Sequence, residues 1–152
     1  MLLAALALAG LSACGSATDA TTFQPPASYK QVGQFGPFLT IWIGPDKQSS
    51  VFLMALPTQV KPEDAMKNAD IHGSDVKEAK MIKICGSQDA YFADLIGTVN
   101  TPQTATHKQN QRIEVLATLL NGKTYVVAYS RPVQAAVDPQ VDSAIKNICP
   151  KQ

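Results

Sequence analysis

The sequence predicts an α+β domain: an antiparallel sheet of about six strands with helices over both faces, in the order β-β-α-β-β-β-β-α. Three observations lead there. Residues 113–120 and 123–130 are strand-like runs separated by Asn121-Gly122, the pair that best accepts the positive φ angles of a type I′ hairpin turn. Pairing these runs puts Ile113, Val115, Ala117, Leu119, Val126 and Ala128 on one face and Leu116, Leu120, Tyr125, Val127 and Tyr129 on the other. Both faces are apolar, so both must be covered. Near the end of the chain, Asp138-Pro139 is a helix cap followed by proline at the first helical position. Val141, Ala144, Ile145 and Ile148 then recur at i, i+3, i+4 and i+7 and make one such cover.

In chain order, residues 2–10 are an unbroken apolar segment with the length of a signal-peptide core, too short to cross a bilayer. The positive region that usually precedes such a core is missing, so either the true start lies upstream of Met1 or the signal is atypical. The segment ends in Leu11-Ser12-Ala13-Cys14, which resembles the bacterial lipobox. That resemblance implies removal of residues 1–13 and acylation of Cys14 as the mature first residue. Two or three acyl chains hold a protein to a bilayer firmly where one does so only marginally. Gly15 rather than aspartate after the cysteine resembles the pattern sorted to an outer membrane, where the cell has one. Plain secretion with cleavage near Ala13 is the alternative. Residues 15–26, small and polar and closed by Pro25 and Pro26, are expected to form a flexible tether. A coil of that length would hold the domain on the order of 20 Å from the membrane. The expected division is therefore signal at 1–13, lipidated cysteine and tether at 14–27, and globular domain at 28–152.

Gly33, Gly36 and Pro37 make the first ten residues of the domain loop-like. Residues 38–43 alternate, with Phe38, Thr40 and Trp42 on one side and Leu39, Ile41 and Ile43 on the other, which predicts a strand. Gly44-Pro45-Asp46 turns the chain. Residues 51–56 form a second, almost wholly apolar strand ended by Pro57. Pro62 at a first helical position, with Glu63 and Asp64 in the first turn, predicts a helix over 61–69 that buries Ala65, Met66 and Ala69. Strands are expected at 76–85 and 90–96. Residues 97–110 lack periodicity and are expected to be a long exposed loop.

Composition sets further bounds. The chain has 152 residues, enough for one domain, and 13 basic against 12 acidic side chains. That balance gives no reason to expect a nucleic-acid partner. The cysteines are Cys14, Cys85 and Cys149, an odd number for an exported protein. With Cys14 assigned to lipid, Cys85 and Cys149 can pair in one way, and an oxidising envelope would preserve the bond. Two buried free thiols are the alternative.

The order of elements is similar to the PsbP-like fold, shared by photosystem accessory proteins, the Ran-binding Mog protein and many small bacterial lipoproteins. The residues that carry the likeness are the two apolar strands before Lys61, the run Ile84-Cys85-Gly86-Ser87-Gln88-Asp89-Ala90, the hairpin between Val115 and Tyr129, and the last helix with Cys149. The resemblance implies an antiparallel sheet between helices and a role in binding or assembly more often than in catalysis.

Candidate chemistry is sparse. Cys85-Gly86-Ser87 resembles the start of a papain-type signature, but it closes a strand instead of opening a helix, and the rest of the signature is absent. Asp70, His72 and Asp75 are close enough in sequence to be weak metal-ligand candidates, against the plainer reading of a solvated turn. His107 falls in the long loop without an acidic neighbour. Neither a G-x-S-x-G elbow nor a P-loop occurs. Tyr29, Phe35, Phe38 and Trp42 cluster near the start of the domain. Core packing explains them best, with the segment 33–36 the place where a ring is left exposed. The expectation is a membrane-anchored envelope lipoprotein without a cofactor or a catalytic site, its domain binding or assembling another envelope protein. The alternatives are a small-ligand or metal-binding protein and an envelope hydrolase using His72 or His107.

Overall fold

A computed structural model describes residues 16–99 and 110–152. The chain opens with a single helical turn, α1 (Ala17–Ala20), and continues through β1 (Lys30–Phe35), β2 (Leu39–Ile43) and β3 (Ser50–Ala55). A 3-10 turn (Pro62–Asp64) leads into α2 (Ala65–Asn68). The strands β4 (Ile71–Ile84), β5 (Gln88–Val99), β6 (Gln111–Leu120) and β7 (Lys123–Pro132) follow, and α3 (Pro139–Lys146) is the last helix. The strands form one seven-stranded sheet in the order β1-β2-β3-β7-β6-β5-β4. All neighbours run antiparallel.

The hairpin that motivated the fold prediction is present. Asn121 and Gly122 have φ of 49° and 75°, and Leu120 pairs with Lys123 across them. Its two faces also separate as the period of two requires. Leu116, Tyr125, Val127 and Tyr129 enter one core with Trp42 and Leu53, while Ile113, Val115, Val126 and Ala128 enter the other with Ile41 and Phe52. Val141, Ile145 and Ile148 close the first core, together with Ala17 and Phe23. Ala65 and Ala69 close part of the second. Helical cover thus exists on both faces, but on the second it is confined to the 3-10 turn and α2. Thr124 holds this segment down: its hydroxyl donates to the Val60 carbonyl at 2.8 Å and accepts from the Val60 amide at 3.0 Å.

Four expectations are corrected. The sheet has seven strands instead of about six, because the glycine-rich segment after Lys30 is an edge strand. An edge exposed on both faces shows no apolar alternation, and its register shifts between Gln31 and Gly33. The residues expected to form a tether are folded from Ser16 onward. Ala17 and Phe23 are buried, the Thr22 amide donates to the Cys149 carbonyl at 2.8 Å, and the Lys151 amide donates to Ala20 at 3.0 Å. The helix expected over 61–69 is shorter and begins as a 3-10 turn. Lastly, Gly97 and Val99 belong to β5, which moves the start of the expected loop. The rest of that segment lies outside the described residues up to Asn110.

Candidate functional site

The N-terminal and C-terminal segments meet at one end of the sheet. Ser16 caps α1: its hydroxyl accepts from the Asp19 amide at 3.3 Å, and the Asp19 carboxylate accepts from the Ser16 amide at 3.1 Å. The Ser16 hydroxyl and amide together hold the Asp19 carboxyl below its ordinary pKa. The Ala17 amide then donates to the Pro37 carbonyl at 3.0 Å, which places α1 against the turn between β1 and β2. Thr21 bridges to Pro150, and Lys151 Nζ donates to the Thr18 carbonyl at 2.9 Å. A shallow cleft of about 580 Å³ runs beside this clasp, bordered by Asp19, Gln24, Gln31 and Lys151. Trp42 and Phe23 form its floor with their rings edge to face at 5.7 Å.

The aromatic group read from the sequence divides in two here. Tyr29 and Trp42 are buried in the core, and burial pushes the Tyr29 phenol pKa up. Phe35 and Phe38 flank the β1–β2 turn and are 42% and 50% exposed, with Val32 on the same hairpin 49% exposed. Gly36 turns the chain with φ of +57°. The turn is pinned by the Ala55 amide, which donates to the Phe38 carbonyl at 2.7 Å. β1 presents a free edge whose side chains after Lys30 are uncharged and partly apolar.

The opposite edge differs. β4 also exposes Val76 and Met81, but ion pairs lie among them: Asp75 with Lys77, Glu78 with Lys80 at 2.5 Å, and Lys83 with Asp89 at 2.6 Å. Two register shifts, at Gly73/Asp75 and Val76/Glu78, break its ladder. Charge and bulges of this kind discourage strand addition.

Cys85 and Cys149 form a disulfide with a Cα separation of 5.4 Å. Cys85 is therefore not a thiolate nucleophile. It occupies the turn between β4 and β5 with φ of 48°, and the bond ties that turn to the segment following α3. The weak metal candidates do not converge. His72 Nε2 pairs with Asp70 at 2.5 Å on the surface, while Asp75 pairs with Lys77. Among the described residues, no group of three or more histidine, cysteine or acidic side chains could hold a metal ion. Cys14 and His107 lie outside the described residues. Among those described, no helix is long and apolar enough to cross a membrane.

A buried polar cluster beneath α3 was missed in the sequence. Arg112 grips Asp94 with both arms, Nε and Nη2 each donating at 2.6 Å. Beside this pair, Glu114 and Arg131 are each 5% exposed, with Arg131 Nη1 3.5 Å from Glu114 Oε1. Arg131 donates through Nε to the Ala135 carbonyl at 3.2 Å and lies 5.1 Å from the Tyr129 ring. Among the described residues, Glu114 Oε2 and Arg131 Nη1 find no hydrogen-bond partner. Burial outweighs the attraction of Arg131 and raises the Glu114 pKa to about 7. The sequence signal was an acid and a base inside otherwise apolar strands, at Ile113-Glu114-Val115 and Ser130-Arg131. The group can exchange a proton near neutrality, but it faces the underside of α3.

No protein-family model matches the sequence, and no curated protein matches it. Among solved structures, the chain is similar to the solution structure of cyanobacterial PsbP from Synechocystis sp. PCC 6803, with a TM-score of 0.58 at 12% identity over 98% of this chain and 99% of that one. A variant of the protein Mog1 aligns over 82% of this chain and 76% of its own, with a TM-score of 0.49 and 12% identity. The first likeness shows that the fold is PsbP-like.

Proposed function

We propose that this chain is a lipid-anchored protein of the cell envelope whose PsbP-like domain is a non-catalytic binding or assembly module. The observation that carries the reading is the contrast between the two sheet edges. Both edges carry register shifts, but β4 is lined with ion pairs, whereas β1 has no charged side chain after Lys30 and exposes Val32. An edge free of ion pairs accepts an extended segment of a partner as an added strand, with main-chain hydrogen bonds supplying affinity and Val32 supplying fit. The occupant proposed is such a segment of another envelope protein. The resemblance of residues 11–14 to the lipobox supports a membrane-surface position for this edge, where a partner of that kind would reside.

The test is a photo-crosslinking side chain at Gln31, beside the edge, compared with one at Lys80 on β4. The proposal expects a recurring adduct from Gln31 that maps to one extended segment, disappears in a folded Val32→Lys variant, and has no counterpart from Lys80. Equal adducts from both positions, or adducts indifferent to Val32→Lys, would refute it.

A further inference from the structure

We infer that the β1–β2 turn is a membrane-docking tip, with Phe35 and Phe38 inserted into the bilayer surface to which Cys14 is anchored. The inference rests on the lipid anchor proposed above. Its geometric basis is the position of α1 beside that turn. Residues from Ser16 onward pack onto the domain, and in the sequence Gly15 alone lies between Cys14 and this first described residue. Cys14 is three residues before Ala17, and a chain of that length reaches at most about 10 Å. The Ala17 amide is itself 3.0 Å from the Pro37 carbonyl, in the middle of the turn. The acyl chains therefore bring this turn down to the membrane, with the C-terminal segment around Lys151 beside it.

The turn is suited to that position. Phe35 and Phe38 are among the most exposed large apolar side chains described, and they stand on either side of Gly36-Pro37. Residues 31–39 read QVGQFGPFL and carry no charge, so nothing there opposes entry into the interfacial region or requires an anionic lipid. The occupant is a lipid surface, recognised by apolar contact and independent of salt. Docking at the tip leaves the length of β1 clear of the membrane and open along its edge.

The test uses the full acylated chain, extracted from membranes and placed in phosphatidylcholine vesicles with or without bromine on the acyl chains. Phe38→Trp and, as a second reporter, Phe35→Trp are compared with Gln48→Trp, which lies beyond the other end of β2, about 17 Å along the strand. The parent supplies the background from buried Trp42. Intact mass establishes acylation of Cys14, and thermal unfolding establishes that each variant is folded. The inference expects brominated lipid to reduce the added fluorescence of either tip variant roughly twofold, while leaving Gln48→Trp unchanged at low and high salt. Absence of an acyl group would remove the anchor reading and this inference with it. An acylated protein whose tip and Gln48 reporters are quenched equally would overturn the docking while leaving the anchor intact. Tip reporters shielded in a protein that light scattering shows to be dimeric would also overturn it, by assigning the tip to a second copy.

Discussion

Replacing Glu114 by glutamine perturbs one charge in the core and leaves its shape almost unaltered. In the folded protein Glu114 has a pKa of about 7, against 4.5 for the free side chain, chiefly because it is buried. At 1.36 kcal/mol per unit, ionising it costs the fold about 3 kcal/mol. The sign follows from proton binding. Between pH 4.5 and 7 the folded state holds a proton that the unfolded state has released, so stability falls as pH rises through this window and levels off above it. Arg131 and Lys146 oppose the shift, while Asp94 and Asp142 reinforce it. The glutamine variant has no such slope, and its amide oxygen still faces Arg131. Urea unfolding of parent and variant from pH 4.5 to 8 should therefore show nearly equal stability at the acid end. At pH 8 the variant should be more stable by about 2–3 kcal/mol. Parallel curves, or a variant less stable than the parent at pH 8, would refute the reasoning. The second result would mean that Arg131 loses more from the missing carboxylate than the fold gains.

Two further outcomes follow from the geometry. Reducing the Cys85–Cys149 bond, which spans 64 residues, should lower stability by roughly 4 kcal/mol in the chain-entropy model, read as a drop in the urea midpoint with reductant present. Gly97→Ala should cost roughly 1–3 kcal/mol, because a Cβ there would come within 2.1 Å of the His72 carbonyl oxygen and force apart the bulged pairing of β4 and β5. Amide exchange along β4 and β5 would locate that damage.

Much of the sheet was legible because strand periodicity is a local property. Asn121-Gly122 fixed one turn, and the parity of the flanking residues then assigned Leu116 and Val127 to one core and Val115 and Val126 to the other. The disulfide followed from counting cysteines. β1 was hidden because an edge strand need not bury either face. The N-terminal segment was misread as a tether because its partners, Cys149 and Lys151, lie at the far end of the chain. Of its residues only Phe23 is a large apolar one, and local composition could not show that it enters the core. Glu114 was passed over inside an apolar run, where its neighbours in sequence are unremarkable and its neighbours in space decide its charge. The exposed ring expected near residues 33–36 is present, but its position beside Ala17 required the fold.

Every membrane contact proposed for this protein depends on acylation of Cys14. Intact mass spectrometry of the protein extracted from membranes, read together with its peptide map, tests this directly. The prediction is a mature chain that begins at Cys14, carries a diacyl or triacyl adduct there, and lacks the two hydrogens removed by the Cys85–Cys149 bond. An unacylated chain recovered from the soluble fraction, with Cys14 cleaved away or bearing a free thiol, would contradict the anchor and everything placed at the membrane because of it.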